Sequence, residues 1–326
     1  MIRQGLLALS LPFAGSALAE GLTLQFPVDC TLGDTCYIQQ YMDRDPSEGQ
    51  RDYQCNGLTY DGHKGTDFAL PTRADMEKGV NVIAAAGGRV RGFRDGMPDT
   101  GYTDETAADV EGKECGNGLV LVHPGGWETQ YCHMMQGSVT VTTGQEIRAG
   151  DVLGKIGQSG RAEFPHLHLS VRRDGQPVDP FDPDGNVTCS SPGDSTLWET
   201  PPPYQPGGVL DVGITAEIPA YADVKAGIAD AQTPRTDAGS LVVFGFSFGT
   251  RKDDVIRLTL TGPEGEVITQ DSVLERNHAQ GFRAVGKRRR GSAHWPEGDY
   301  LGRVELIRDG RTISTREVSI TLAPPA

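Results

Sequence analysis

Apolar and polar positions alternate with a period of two through much of this chain, in short runs closed by turn residues. Leu241-Val-Val-Phe244, Val255-Ile-Arg-Leu-Thr-Leu260, Tyr300-Leu-Gly-Arg-Val-Glu-Leu306 and Val318-Ser-Ile-Thr-Leu322 have this form, with Gly262-Pro-Glu-Gly265 and Arg308-Asp-Gly310 between them. Strands that bury one face read this way, and the spacing predicts a small antiparallel β-sandwich of immunoglobulin-like kind over residues 209–326. Earlier, Phe164-Pro-His-Leu-His-Leu-Ser-Val-Arg172 alternates in the same manner. On a strand His166 and His168 then share one face, while Leu167 and Leu169 turn to the core. No stretch carries the period of a long helix, so the fold class is all-β. Residues 190–208, with Pro201-Pro-Pro203, read as a Pro/Gly-rich linker. Two units are thus expected: 55–189, with 20–54 as its lead-in, and 209–326.

The chain has 326 residues and a formal net charge of −14. Residues 20–239 hold 16 basic and 33 acidic residues, against 13 and 11 in residues 240–326. An acidic chain without a recognised nucleic-acid motif argues against nucleic acid as partner. Residues 1–19 combine Arg3, an apolar stretch and Ala17-Leu-Ala19, the pattern of a secretory signal peptide cut before Glu20. No later stretch is long and apolar enough to span a membrane, so the mature protein is expected to be exported and without a span. Six cysteines agree with an oxidising compartment. Cys115 and Cys132 bracket a hairpin with its turn at Pro124-Gly-Gly126, and pairing of its strands brings them together as a disulfide. The pairing of Cys30, Cys36, Cys55 and Cys189 stays open, with no Cys-x-x-Cys pair to suggest a thiolate metal site.

Four of the seven histidines fall in three segments: His63-Lys-Gly-Thr-Asp67, Tyr131-Cys-His133 and His166-Leu-His168. His63 and Asp67, four apart, share a face on a helix or a strand, and Gly65 with the Thr-Asp-Phe-Ala-Leu that follows favours extended chain. One carboxylate and two imidazoles can therefore converge. A zinc hydrolase needs about three such ligands, an open position for water, and neighbouring bases.

The three segments, in this order, resemble the LytM/lysostaphin-type zinc metallopeptidases, which cut peptide cross-links in bacterial cell walls. Asn81-Val-Ile-Ala-Ala-Ala-Gly-Gly-Arg-Val90, Gly116-Asn-Gly-Leu-Val-Leu-Val-His123 and Gly150-Asp-Val-Leu-Gly-Lys-Ile-Gly157 also look like strands and turns of that family's domain. The resemblance covers roughly 55–182. It implies a duplicated hybrid motif, a β-barrel-sandwich, with one Zn2+ held by His63, Asp67 and His168. His133 and His166 would flank the open position; His166 is the favoured base and His133 the favoured transition-state stabiliser, an order the sequence leaves open. The implied activity is hydrolysis of peptide cross-links or stem peptides of peptidoglycan, in the periplasm. The alternative is a catalytically silent relative that activates other cell-wall hydrolases.

Thr66 and Asn117 are candidate support or substrate contacts, and equally turn residues bonded to their own backbone. The acidic stretch 95–114 is a surface loop or the rim of a cleft that selects basic groups, and it lacks a calcium-loop motif. Lys287-Arg-Arg-Arg290 is a solvated turn or a patch for an anionic wall polymer or an envelope protein. A biotinyl- or lipoyl-type carrier is the remaining alternative, from Thr142-Thr-Gly-Gln-Glu-Ile-Arg-Ala-Gly-Asp-Val-Leu-Gly154, but Lys155 is misplaced for a hairpin tip.

Overall fold

The computed structural model describes residues 21–185, 195–291 and 294–325. The expected signal peptide at 1–19, Cys189 and the first part of the expected linker lie outside these. The described chain is all-β, built of antiparallel sheets with a few short helices.

Ten strands precede residue 180: β1 (Tyr37–Gln40), β2 (Thr66–Ala69), β3 (Asn81–Ile83), β4 (Gly88–Arg94), β5 (Asn117–Val122), β6 (Trp127–Met134), β7 (Glu146–Ile147), β8 (Val152–Lys155), β9 (His166–Arg173) and β10 (Gln176–Pro177). The large sheet runs β1-β2-β9-β6-β5-β4-β7, with β10 on β9; β3 and β8 pair separately across the barrel-sandwich. Its core gathers Phe68, Leu121, Tyr131, Leu153, Leu167 and Leu169, all fully buried. Leu167 and Leu169 therefore face inward, and the two histidines that alternate with them share the other face.

Seven strands follow: β11 (Gly208–Thr215), β12 (Ser240–Thr250), β13 (Val255–Gly262), β14 (Gly265–Val273), β15 (His278–Arg288), β16 (Gly298–Arg308) and β17 (Arg311–Leu322). They form an immunoglobulin-like sandwich of β11-β12-β15 over β14-β13-β16-β17. Leu241, Val243, Ile256, Leu258, Val304 and Leu306 fill the space between the sheets.

Two features join the units. Tyr204, from the proline-rich segment, stacks on Tyr41 at 5.1 Å, and Tyr53 and Phe181 complete that aromatic cluster. Gln205 accepts a hydrogen bond from the Ile38 amide (2.8 Å). The segment is thus packed against the first unit. Separately, Phe244, Phe246 and Phe248 of β12 turn their rings outward from the sandwich onto Tyr37 and Ala69 of β1 and β2. Gln280 of β15 donates to Tyr37 Oη and Gln39 Oε1 across the same seam. β1, the edge strand of the large sheet, is covered by this contact.

Candidate metal centre

Three neighbouring strands bring the site together. In the antiparallel register Asp67 on β2 stands opposite His168 on β9, and Ala69 opposite His166. On the other side of β9, Cys132 of β6 stands opposite His168. Opposed residues share a face, so Asp67, His168 and Cys132 project to one side. Strict alternation would send His133 to the other side. It has φ +63° instead, in the left-handed region, which takes its ring out of the alternation. That conformation costs a non-glycine residue about 1–2 kcal/mol.

His63 lies just before β2. Its Nδ1 donates to the Tyr41 carbonyl (2.7 Å), leaving the Nε2 lone pair to face Asp67 Oδ1 (3.2 Å) and His168 Nδ1 (3.1 Å). His168 Nδ1 lies 2.8 Å from the same Asp67 oxygen, and its Nε2 bonds the Ser170 hydroxyl at 2.9 Å. Ligands bound tetrahedrally at about 2.0–2.1 Å stand roughly 3.3 Å apart, so these three atoms fit one zinc-sized cation. Among the described residues this is the one group of three or more His, Cys, Asp or Glu so arranged.

The other two histidines complete the wall. His166 Nδ1 donates to the Phe164 carbonyl and His133 Nδ1 to the Ser159 carbonyl, both at 2.8 Å. A carbonyl can only accept, so both rings carry their proton on Nδ1 and present a bare Nε2. That of His166 is 3.7 Å from Asp67 Oδ1, and the His133 and His166 ring centres are 4.6 Å apart. Burial pushes the His133 proton affinity well down, with the His166 and His168 rings adding to the effect; burial also lowers His166. For His63 burial pulls down, but the Asp67 carboxylate and the Tyr41 carbonyl outweigh it and the net is upward. Burial would raise Asp67, yet the surrounding histidines hold it well below the usual carboxylate range.

Residues 61–180, which contain all five side chains, match the model of peptidase family M23. The chain carries a peptidase family M23 domain. Over 118 residues it is 29% identical to the DD-carboxypeptidase/endopeptidase Mpg of Neisseria meningitidis, covering 36% of this chain and 22% of that protein. The cell division protein DipM of Caulobacter vibrioides is 33% identical over 126 residues (35% and 20%). The peptidoglycan DD-endopeptidase ShyB of Vibrio cholerae is 30% identical over 117 (36% and 22%). The matched segment spans about a fifth of each of these relatives. A solved zinc-containing peptidase from Vibrio cholerae aligns at 25% identity over 50% of this chain and 40% of that one, with a TM-score of 0.33.

The weaker candidates in the M23 domain lie behind the site. Thr66 is fully buried, its hydroxyl without a hydrogen-bond partner. Asn117 is also fully buried, which keeps it from a substrate. Its side chain accepts from the Gly96 and Met97 amides and donates to the Met97 and Met134 carbonyls. Its backbone amide donates to Ser159 Oγ, so it steadies the residue whose carbonyl holds His133. Cys115 and Cys132 are disulfide-bonded, and the Cys115 carbonyl accepts from the His133 amide at 2.8 Å. Cys30 pairs with Cys36, and Cys55 is disulfide-bonded too.

In the acidic stretch 95–114, Asp95 accepts from the Gly137 and Val139 amides and Asp99 from those of Gln136 and Gln158. Its first carboxylates are structural ties that lash the stretch beside the turn bearing Ser159. Of Lys287–Arg290, Lys287 donates to the Val267 carbonyl and Arg288 and Arg290 are exposed.

Several contributors escaped the sequence reading. Tyr60 lies 4.5 Å from the His63 ring and Phe164 4.5 Å from the His166 ring. Ser170 holds His168, and a period-two reading of β9 places it on the same face. Gly65, read in the sequence only as favouring extended chain, is also constrained by space: a Cβ there would come 2.6 Å from His168 Nε2 and 2.7 Å from the Leu169 carbonyl.

Proposed function

We propose that this chain is an exported zinc endopeptidase that hydrolyses peptide cross-links or stem peptides of bacterial peptidoglycan. The observation that carries the reading is the convergence of His63 Nε2, Asp67 Oδ1 and His168 Nδ1 within 3.2 Å of one another, beside two further imidazoles that are not needed as ligands. When bound, zinc supplies a Lewis acid for the scissile carbonyl and a lowered pKa for the attacking water.

The chain's own groups account for the remaining steps. His166, neutral through burial and fixed by the Phe164 carbonyl, takes the proton of the nucleophile on Nε2 and returns it to the leaving amine. His133, held by the Ser159 and Cys115 carbonyls, presents its bare Nε2 to the same space; it is the alternative acceptor of that proton and, carrying it, the donor to the developing oxyanion. Tyr41 and Ser170 orient the ligand rings from behind, contacts typically worth 10–100-fold in metal affinity.

Peptidoglycan as substrate is supported by the names of the matched relatives, a DD-carboxypeptidase/endopeptidase and a peptidoglycan DD-endopeptidase. The pattern of residues 1–19 and the disulfides support a periplasmic location, and no helix among the described residues is long and apolar enough to cross a membrane. The sandwich at 209–326 offers a surface for an envelope protein. The intact histidine set favours an active enzyme over a silent activator. The test is metal content after equilibration with zinc: one ion per wild-type chain and none in Asp67→Ala of unchanged circular dichroism. Equal zinc in both would contradict the ligand set.

A further inference from the structure

The seam between the two units holds a pocket of about 320 Å3 that begins at the rim of the metal centre. Tyr60 is shared by both: its ring stands 4.5 Å from that of His63 and it also lines the pocket. The first unit adds Gln39, Gln40 and Thr59, and the sandwich adds Arg251 and Asn277 from the ends of β12 and β15. The lining is dense in amide and hydroxyl groups, and no carboxylate belongs to it, in a chain with 44 acidic residues.

Two of its groups lack the partners that burial or charge would lead them to have. Thr59 is 3% exposed, and its hydroxyl has no hydrogen-bond partner. A buried hydroxyl left so costs about 1–3 kcal/mol. The Arg251 guanidinium donates to Asn56 Oδ1 (2.9 Å) and has no ion-pair partner among the described residues. The nearby Asp254 carboxylate is taken by Arg308 at 2.7 Å. His278, also in the lining, is pushed down by partial burial and then by the Arg283 and Arg276 cations, so the surroundings favour negative charge.

We infer that this pocket is a substrate subsite for a carboxylate-bearing arm of a peptide, built jointly by the two units. Arg251 pairs the carboxylate, and the side-chain amides of Gln40 and Asn277 bond the peptide groups of the arm. Tyr60 sets the distance between that arm and the metal centre. The inference rests on the peptidase reading for the identity of the peptide, and it gives the sandwich a direct part in substrate choice.

The test uses the full-length zinc-loaded protein and isothermal titration with a peptidoglycan stem tetrapeptide ending in a single D-alanine. The probe is compared with the same peptide amidated at its carboxylates. The free acid is expected to bind about tenfold or more tightly than the amide, the scale of one charge-assisted contact. Arg251→Gln removes that preference and leaves amide binding within about twofold, whereas Asn277→Ala weakens both forms; unchanged melting temperatures show that the variants fold. Equal binding of acid and amide by the wild type, no binding of the acid, or a preference that survives Arg251→Gln would overturn the subsite. Digestion of sacculi by the same wild-type protein reports on the peptidase reading separately. Arg251-dependent acid selectivity without digestion would sink the peptidase and leave the subsite standing.

Discussion

Asp67 and His168 face each other across β2 and β9, with Asp67 Oδ1 2.8 Å from His168 Nδ1. Strand register alone brings a carboxylate and an imidazole, 101 residues apart in sequence, within hydrogen-bonding distance. Asp67 is buried and His168 partly so, and His63 closes the third side.

His63 and His168 hold their second nitrogens differently, and this gives the first expectation. His168→Ala removes a ligand and should weaken zinc binding at least ~100-fold, whereas Ser170→Ala only frees the ring and should cost about 10-fold. Competition against a chromogenic chelator measures both. Equal losses would show that Ser170 does not act through His168.

Gly65 is required by space. Gly65→Ala sets a methyl 2.6 Å from His168 Nε2, so the ring must move or the strand must shift. Expected are a loss of about 1–3 kcal/mol in stability, the scale of overpacking, and weaker zinc binding. Chemical denaturation and the same chelator competition check this; wild-type values in both would show that the site relaxes freely.

The Cys115–Cys132 bond sits one residue from His133, whose amide bonds the Cys115 carbonyl. Cys115→Ser with Cys132→Ser should therefore lower turnover at least about tenfold while zinc stays bound. The cross-link closes a loop with a sequence separation of 17, worth about 3 kcal/mol of stability. His166→Ala should likewise keep zinc and lose roughly 100-fold or more in turnover. Metal analysis beside a rate assay separates the two losses. Wild-type rates in either variant would remove that group from the chemistry.

Two carboxyls away from the site, Asp179 buried and Asp211 partly so, set a pH dependence of stability. Burial raises Asp179 to about 7, and burial with the neighbouring Asp230 raises Asp211 to about 6. The folded state then holds protons that the unfolded chain releases near 3.8, so stability is highest at low pH on this account and falls as pH climbs from about 4 to about 7. Asp211→Asn abolishes its share and should stabilise the protein at pH 7.5 by on the order of 1–2 kcal/mol, with little effect at pH 4. Urea denaturation at the two pH values decides; a variant destabilised at pH 7.5 would reverse the sign.

The convergence of the histidines and Asp67 was legible because its spacing is local. His166 and His168 lie two apart on a strand whose intervening leucines are buried, and His63 and Asp67 flank a glycine. The alternation in 241–322 likewise exposed the sandwich strands. The supports were not legible, since each depends on chain brought from elsewhere. The Tyr41 carbonyl reaches His63 through an aromatic cluster that includes Tyr204, and His133 depends on a left-handed backbone that no composition signal marks. Asn117 read equally as a support or substrate contact and as a turn residue bonded to its own backbone; its amide instead ties down residues 96 and 97, which are brought from elsewhere in the chain. The proline-rich segment read as a spacer because proline and glycine dominate it; Tyr204 and Gln205 are what bind it to the first unit.

The most direct measurement is mass spectrometry of the fragments released from purified sacculi by the zinc-loaded protein, with and without a chelator. Loss of cross-linked species that stops with the chelator and is absent from Asp67→Ala is the expected result, and the fragment masses name the bond cut. No release from protein shown to hold one zinc, or release that the chelator leaves untouched, would contradict a metal-dependent peptidoglycan peptidase at His63, Asp67 and His168.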